Sequence, residues 1–181
     1  MTSDQESLGD ALLRYPTSIT LRELGDVMNV AAKAIFMHDK EHAPMFILNQ
    51  HKRDDLIEGR SLGVLSAKKW MTDETGKDKL RRIVKHLVFK YDADLVVMIS
   101  ECWVWKGQTE EQIKEFQKTG KRPGTKVEVL LMNLTPIEGD GLMIINEIKR
   151  DGDKVSLADP DYVEQKADST KHSRFAGYWD K

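Results

Sequence analysis

The chain has 181 residues and a mass of 20.7 kDa, and this length fits one compact domain with tails better than two domains. Charged residues make up 32% and hydrophobic residues 40%, which excludes a wholly disordered chain. The net charge of −2, from 28 basic and 30 acidic residues, argues against a polybasic nucleic-acid arm or an acidic tail that governs the whole molecule.

Cysteine usage and the apolar segments suggest a cellular compartment. The single cysteine, Cys102, excludes an intrachain disulfide and a cysteine zinc cage, and it is compatible with a reducing cytosol. Residues 1–7 have neither a basic start nor an apolar stretch, so they do not form a secretory signal. The longest strongly apolar run, Leu95 to Ile99, is far too short to span a bilayer. We therefore expect a soluble, cytoplasmic protein without a membrane partner.

The first predicted helix follows a polar lead-in at residues 1–16, which we expect to be partly mobile. Thr20 and Glu23 have the spacing of a capping box, and the helix should end near His38. Its apolar residues recur at helical intervals: Leu21, Leu24, Met28, Ala31, Ala32 and Ile35. Residues 45–48 are then predicted as a strand. Residues 52–70 are ambiguous because Gly59 and Gly63 interrupt any long helix there.

The clearest helix is predicted at residues 77–91. Its apolar residues fall on one face: Leu80, Ile83, Val84, Leu87, Val88 and Tyr91. The following stretch, residues 95–105, is rich in β-formers and apolar on both faces, so we expect it in the middle of a sheet. A capping box at Thr109 and Gln112 predicts a short third helix that ends at Gly120.

The last third of the chain predicts strands at residues 126–134, 142–149 and 154–157, with Asp151-Gly152 as a hairpin turn between the last two. Strands that tight turns connect must be antiparallel. We therefore predict an α+β fold, with an antiparallel sheet of about four to five strands, two long helices packed on one face and a short third helix.

We predict a single α+β domain at residues 17–158, between the lead-in and a C-terminal arm at residues 159–181. The arm is polar but carries four aromatic residues: Tyr162, Phe175, Tyr178 and Trp179. It either folds back on its own domain or embraces a partner subunit.

Glu101 is the first candidate site residue. It interrupts an apolar row on the predicted central strand and stands next to Trp103 and Trp105. Because burial of an uncompensated carboxylate is costly, Glu101 must be protonated, paired or close to water. The functional interpretation is a general base or metal ligand with a raised pKa, and the structural one is an ion pair with a basic group at the strand end.

This strand also carries a resemblance. Asp94-Leu-Val-Val-Met-Ile-Ser-Glu-Cys-Trp103, after an amphipathic helix and before paired strands, resembles a Ser-Glu-x-Trp strand of uncharacterised bacterial and phage-encoded proteins, over roughly residues 77–150. The residue between Glu and Trp is usually small in that group, and here it is Cys102. The resemblance implies no catalytic role for Ser100, Glu101 or Trp103.

Glu147 and Lys149 form a second candidate, with Asp140 seven residues upstream. On a strand the first two share a face, and together with Asp140 they would resemble the Mg²⁺ site of a restriction-endonuclease-like nuclease. A strand that directs Leu142, Ile144 and Ile148 inwards places Glu147 and Lys149 on its outer face, so their position has an explanation that requires no metal site.

Three histidines form a third candidate. His38 and His42 would have metal-ligand spacing if the helix continued, and His51 would then complete the set. Pro44 should close the helix before that, so we favour a solvated helix end.

The fourth candidate is the basic side of the helix at residues 77–90, which includes Arg81, Arg82 and Lys85. This segment has six basic residues and a single acidic one, Asp78. Its positive surface could bind a phosphate backbone without sequence specificity. Aromatic residues for base stacking are not interleaved with these cations.

We predict a binding or regulatory module without covalent chemistry and without a cofactor, self-associated through a sheet edge or the C-terminal arm. The alternatives are a metal-dependent nuclease or phosphodiesterase that uses Glu147 and Lys149, or Glu101, and a nucleic-acid-binding protein that uses the basic helix. Whether the protein is an enzyme stays open at this point, as does any metal.

Overall fold

The fold is known from a computed structural model, which describes residues 13–51, 58–106, 109–120 and 124–167. Eight strands and three α-helices occupy this part of the chain, with a 3₁₀ turn at Lys68–Trp70. In chain order the elements are β1 (Arg14–Pro16), α1 (Leu21–Asp39), β2 (Met45–Gln50), β3 (Glu58–Ser66), α2 (Glu74–Tyr91), β4 (Leu95–Lys106), α3 (Glu110–Thr119), β5 (Thr125–Pro136), β6 (Gly141–Asp151), β7 (Lys154–Leu157) and β8 (Asp161–Gln165).

All eight strands belong to one curled antiparallel sheet that has the form of a half-barrel. The strand order is β1-β3-β2-β4-β5-β6-β7, and β8 pairs with β6 beyond the end of β7. The prediction that residues 95–105 form an inner strand is confirmed, because β4 lies between β2 and β5.

The predicted fold class is wrong. The fold is mostly β, with eight strands instead of the predicted four to five. The additional strands include β3, in the segment that the sequence left ambiguous, and β1 and β8, which lie at the two ends of the described chain. β1 has only three residues, which pair with Glu58, Gly59 and Arg60 of β3.

The two helices also do not share one face, as predicted, but lie on opposite faces of the sheet. On one face, Leu24 and Phe36 of α1 pack in a core with Leu95, Val97 and Ile99 of β4. On the other face, α2 packs over the first half of the sheet in a separate core: Phe46, Leu48, Leu80, Val84, Val88 and Val96 are its larger members. The alternation of β4 sends its odd residues towards α1 and its even residues towards α2, so its two apolar faces each receive a helix.

The helix ends follow the predicted local signals. The Thr20 hydroxyl accepts the Glu23 N–H, and the Glu23 carboxylate accepts the Thr20 N–H at 2.8 Å, which is a complete capping box. Lys40, in the left-handed conformation, ends α1 four residues before Pro44. The predicted lead-in before residue 13 and the aromatic residues Phe175, Tyr178 and Trp179 lie outside the described residues.

Candidate functional site

Glu101 lies in a cluster with Glu128 of β5 and Arg150 of β6. The register pairs Trp103 with Glu128, which brings the two carboxylates to the same face near the end of the sheet. Arg150 donates from Nη2 to Glu101 Oε1 at 2.9 Å, and it binds Glu128 through Nε and Nη2 at 2.9 and 3.1 Å. The other Glu101 oxygen accepts the backbone N–H of His42 at 3.1 Å. One guanidinium therefore holds two carboxylates from neighbouring strands.

The two carboxyl groups of this cluster differ in their affinity for a proton. Burial raises the pKa of Glu101, and Glu128 raises it further, while the His42 N–H and Arg150 act in the opposite direction. The hydrogen bonds from Arg150 lower the pKa of Glu128. When the pH falls, Glu101 therefore takes up a proton before Glu128, whose charge is held by the fork of Arg150. The general-base role of Glu101 stays a prediction, and its ion pair agrees with the structural interpretation.

The residues of the nuclease hypothesis lie apart. Asp140 precedes β6 and is paired with Lys166 at 2.6 Å, whereas Glu147 is paired with Lys106 at 3.0 Å. Seven strand residues separate the two acids by roughly 23 Å at about 3.3 Å per residue, which is too far for a shared metal ion. Lys149 is exposed on the strand end beyond Glu147. The structure thus brings Glu147 together with Lys106 and Asp161, and not with Asp140.

The three histidines have different environments. The His38 side chain is 88% exposed and contacts Asp39, which agrees with a solvated helix end. His42, in contrast, is buried, so the expectation of solvent exposure is wrong for this residue. His51 is buried at the end of β2, where its backbone N–H donates to Asp94.

The basic side of α2 faces away from the sheet. Arg81 and Arg82 are exposed, and with Asp78 and Lys85 they line an open hollow of about 410 Å³. Lys77 is paired with Glu74 at 3.0 Å, so the local excess of positive charge is concentrated further along the helix.

An apolar cleft between α1 and strands β2 and β3 is the feature that the sequence did not reveal. Its volume is about 220 Å³, and it is open to solvent on one side. The helix contributes Val27, Ala31 and Ile35 to its wall, and all three are exposed. The remaining lining residues come from β2, β3, β4, the inner side of α1, the loop between α1 and β2, and the chain near β1: Leu13, Met28, Ala32, His42, Met45, Ile47, Ser61, Val64 and Ile99.

Two polar residues, His42 and Ser61, line this apolar cleft. The Ser61 hydroxyl donates to Asn49 Oδ1 at 2.6 Å. His42 Nδ1 lies 3.0 Å from the carbonyl oxygen of Ala43, so Nδ1 carries the proton and Nε2 has a free lone pair. Burial lowers the pKa of His42, outweighing the Ala43 carbonyl and Asp39, so the imidazole is neutral near pH 7.

The part of the chain that the structure describes contains neither a cluster of metal-ligating side chains nor a membrane-spanning helix. There, no three side chains of His, Cys, Asp or Glu are grouped in a way that could hold a metal ion. Among the same residues, no helix has the length and apolar character needed to cross a bilayer.

Comparison with known proteins places the chain in a phage protein family. No curated protein and no solved structure matches the chain significantly. A family model, described as bacteriophage lambda protein ea47, matches residues 15–180. This agrees with the phage resemblance predicted from the β4 segment, although the match does not assess the Ser-Glu-x-Trp motif. Because the match covers nearly the whole chain, from β1 to the C-terminal region, the protein belongs to the bacteriophage lambda protein ea47 family.

Proposed function

We propose that this phage-type protein is a binding module that acts without covalent chemistry and holds an apolar ligand in the cleft between α1 and strands β2 and β3. The observation that supports this most directly is the exposure of Val27 and Ile35, 49% and 44%, on the helix wall of a concave site. Helix residues that serve only the core point towards the sheet, as Leu24 and Phe36 do. Concave, mostly apolar sites with a few polar groups are the usual form of a ligand-binding pocket.

The ion pairs of the candidate metal-ligating carboxylates also favour a binding function over metal-dependent hydrolysis. Glu101, Glu147 and Asp140 each have a basic partner within 3.0 Å. A metal ion would have to displace Arg150, Lys106 or Lys166 to reach them.

The binding proposal can be tested with 8-anilinonaphthalene-1-sulfonate, whose fluorescence rises in apolar sites. We expect saturable fluorescence with the native protein, strong reduction in Ala31→Trp, which fills the cleft from the helix wall, and no reduction in Val30→Trp. Val30 is 70% exposed on the same helix but does not line the cleft, so it is the matched control. Equal fluorescence from both variants and the native protein would contradict the proposal.

A second candidate function is phosphate-backbone binding by the exposed face of α2, which is favoured by the exposure of Arg81 and Arg82 beside Lys85. It predicts retention of DNA or RNA at low salt that weakens steeply as salt is added. Arg81→Glu/Arg82→Glu should abolish retention, whereas Lys114→Glu/Lys118→Glu on α3 should not. If the native protein retains neither nucleic acid at low salt, this candidate is removed.

The proposed module also self-associates through its β3 edge. β1 covers β3 only from Glu58 to Arg60, with one further bond from the Ser61 N–H to Leu13. The pairing of β3 with β2 leaves the backbone of Val64 directed outwards, and no other described strand pairs there. A mass near a multiple of 20.7 kDa in solution, reduced by Val64→Pro, is expected; a monomer at high concentration would refute this part of the proposal.

A further inference from the structure

One of the residues that line the cleft has a buried imidazole with an unused hydrogen-bonding atom. His42 is 3% exposed, and its Nε2 has no hydrogen-bond partner within the described parts of the chain. Its other ring nitrogen is engaged by Ala43, and its backbone N–H by Glu101. His42 is therefore held in place through its Nδ1–H group and its backbone N–H, and Nε2 remains as a hydrogen-bond acceptor.

Buried polar atoms in folded proteins are nearly always hydrogen-bonded, so an exception calls for an explanation. Among the described residues that line the cleft, the only polar side chain besides His42 is Ser61, whose hydroxyl already donates to Asn49. A ligand in the cleft that carries an N–H or O–H group would satisfy Nε2.

The size of the cleft limits the ligand. A sealed apolar cavity of about 150 Å³ already admits benzene. The 220 Å³ here therefore suits one aromatic ring system, such as a phenol or an indole, and is small for a drug-sized molecule. The aliphatic side chains of Val27, Ile35 and Ile47 would cover the ring, and Met45 could contact its edge.

Resting on the binding function proposed above, we propose that the cleft binds a small aromatic molecule of the phenol or indole class, which donates its hydroxyl or ring N–H to Nε2 of His42. The rest of the ring packs between α1 and strands β2 and β3. His42 thereby selects for a hydrogen-bond donor, while the aliphatic walls select for size and apolarity.

The test compares indole with benzothiophene, which has nearly the same size and shape but no N–H donor. Binding of each to the full-length protein is measured by calorimetry, with amide chemical shifts to locate the site. We expect indole to bind about tenfold more tightly than benzothiophene, and we expect His42→Leu to reduce this ratio to about one by weakening indole alone. Ala31→Trp should abolish binding of both, and Val30→Trp should leave both unchanged.

The outcomes separate this inference from the proposed function. Equal affinity of the native protein for the two compounds, with loss of both in Ala31→Trp, would overturn the role of His42 and leave the cleft as an apolar binding site. Absence of binding by either compound would overturn the inference, and unchanged dye fluorescence in Ala31→Trp would separately overturn the proposed function. If His42→Leu does not fold, the comparison of indole with benzothiophene on the native protein and on Ala31→Trp still decides the question.

Discussion

Asn29 of α1 and Asn146 of β6 exchange hydrogen bonds in the buried interface between the helix and the sheet. Asn29 Nδ2 donates to Asn146 Oδ1 at 3.2 Å, and Asn146 Nδ2 donates to Asn29 Oδ1 at 2.8 Å. The two residues are 5% and 0% exposed, so neither amide has water as an alternative partner. The pair thus fixes the position of α1 over the sheet. It thereby also fixes the position of the exposed side of α1, which forms the wall of the cleft.

The first prediction concerns this amide pair. Asn146→Leu should lower the free energy of unfolding by about 1–3 kcal/mol, because it leaves a buried Asn29 amide without a partner. Asn29→Leu should do the same, and the double variant should cost less than the sum of the two single variants, since no orphaned amide remains. Urea unfolding of the four proteins measures the coupling. Additive losses would show that the two amides are energetically independent.

The second prediction concerns the cation that Glu101 and Glu128 share. Arg150→Met should lower the free energy of unfolding by about 1–3 kcal/mol at pH 7, a range reduced from that of buried pairs because the Arg150 side chain is 37% exposed. The loss should shrink in acid. Because the hydrogen bonds from Arg150 lower the pKa of Glu128 in the folded protein, the stability that they contribute is present above the unfolded-state pKa and is lost as the pH falls through the lowered folded-state value.

A surface ion pair provides the control for Arg150. Lys68 lies 3.4 Å from Glu41, and both side chains are about two-thirds exposed. Lys68→Met should therefore change the stability little at any pH. A loss in Arg150→Met that stayed undiminished in acid, well below the ordinary carboxyl pKa of 4.5, would contradict a carboxylate origin.

The helices and inner strands could be predicted because their signals are local. The capping boxes at Thr20 and Thr109 both form, and the apolar period of residues 77–91 produces α2. The number of strands could not be predicted in this way. β1 and β8 are short, and their pairing partners, β3 and β6, are not adjacent to them in the sequence, so no local pattern marks them as strands.

The sequence contained a signal that the two long helices lie on opposite faces of the sheet, although the prediction did not use it. Residues 95–99 are apolar on both faces, and a strand of this kind needs cover on both sides. The partner of Glu101 had no such signal, because Arg150 is 49 residues away and meets it only through the register of three strands. The predicted apolar row of α1 included Ala31 and Ile35, but the structure exposes both on the cleft wall beside Val27, so the apolar sector of this helix is wider than the stripe that faces the core.

The third prediction concerns Gly76 in the first turn of α2. Replacement of a helical glycine by alanine normally stabilises a helix by about 1 kcal/mol. Here a Cβ would lie 2.5 Å from the carbonyl oxygen of Trp70, and backbone cannot move aside as a side chain can. Gly76→Ala should therefore destabilise the protein by about 1–3 kcal/mol in thermal or urea unfolding. Gly63→Ala is the control, because no atom of the described residues would lie within 4 Å of its Cβ, and equal effects at the two sites would refute the steric argument.

The fourth prediction concerns the protonation of His42. Because burial lowers its pKa below 6.5, the unfolded chain takes up a proton on His42 at a pH at which the folded protein does not. The stability of the native protein should therefore fall as the pH drops below 6.5, relative to His42→Leu, which lacks this group. Urea unfolding between pH 7.5 and 5.5 measures the difference, and His38→Leu, which removes an exposed imidazole, is the control. A constant difference between the native protein and His42→Leu across this range would mean that the imidazole can charge in place. That in turn would remove the neutral acceptor on which recognition of a phenol or indole depends.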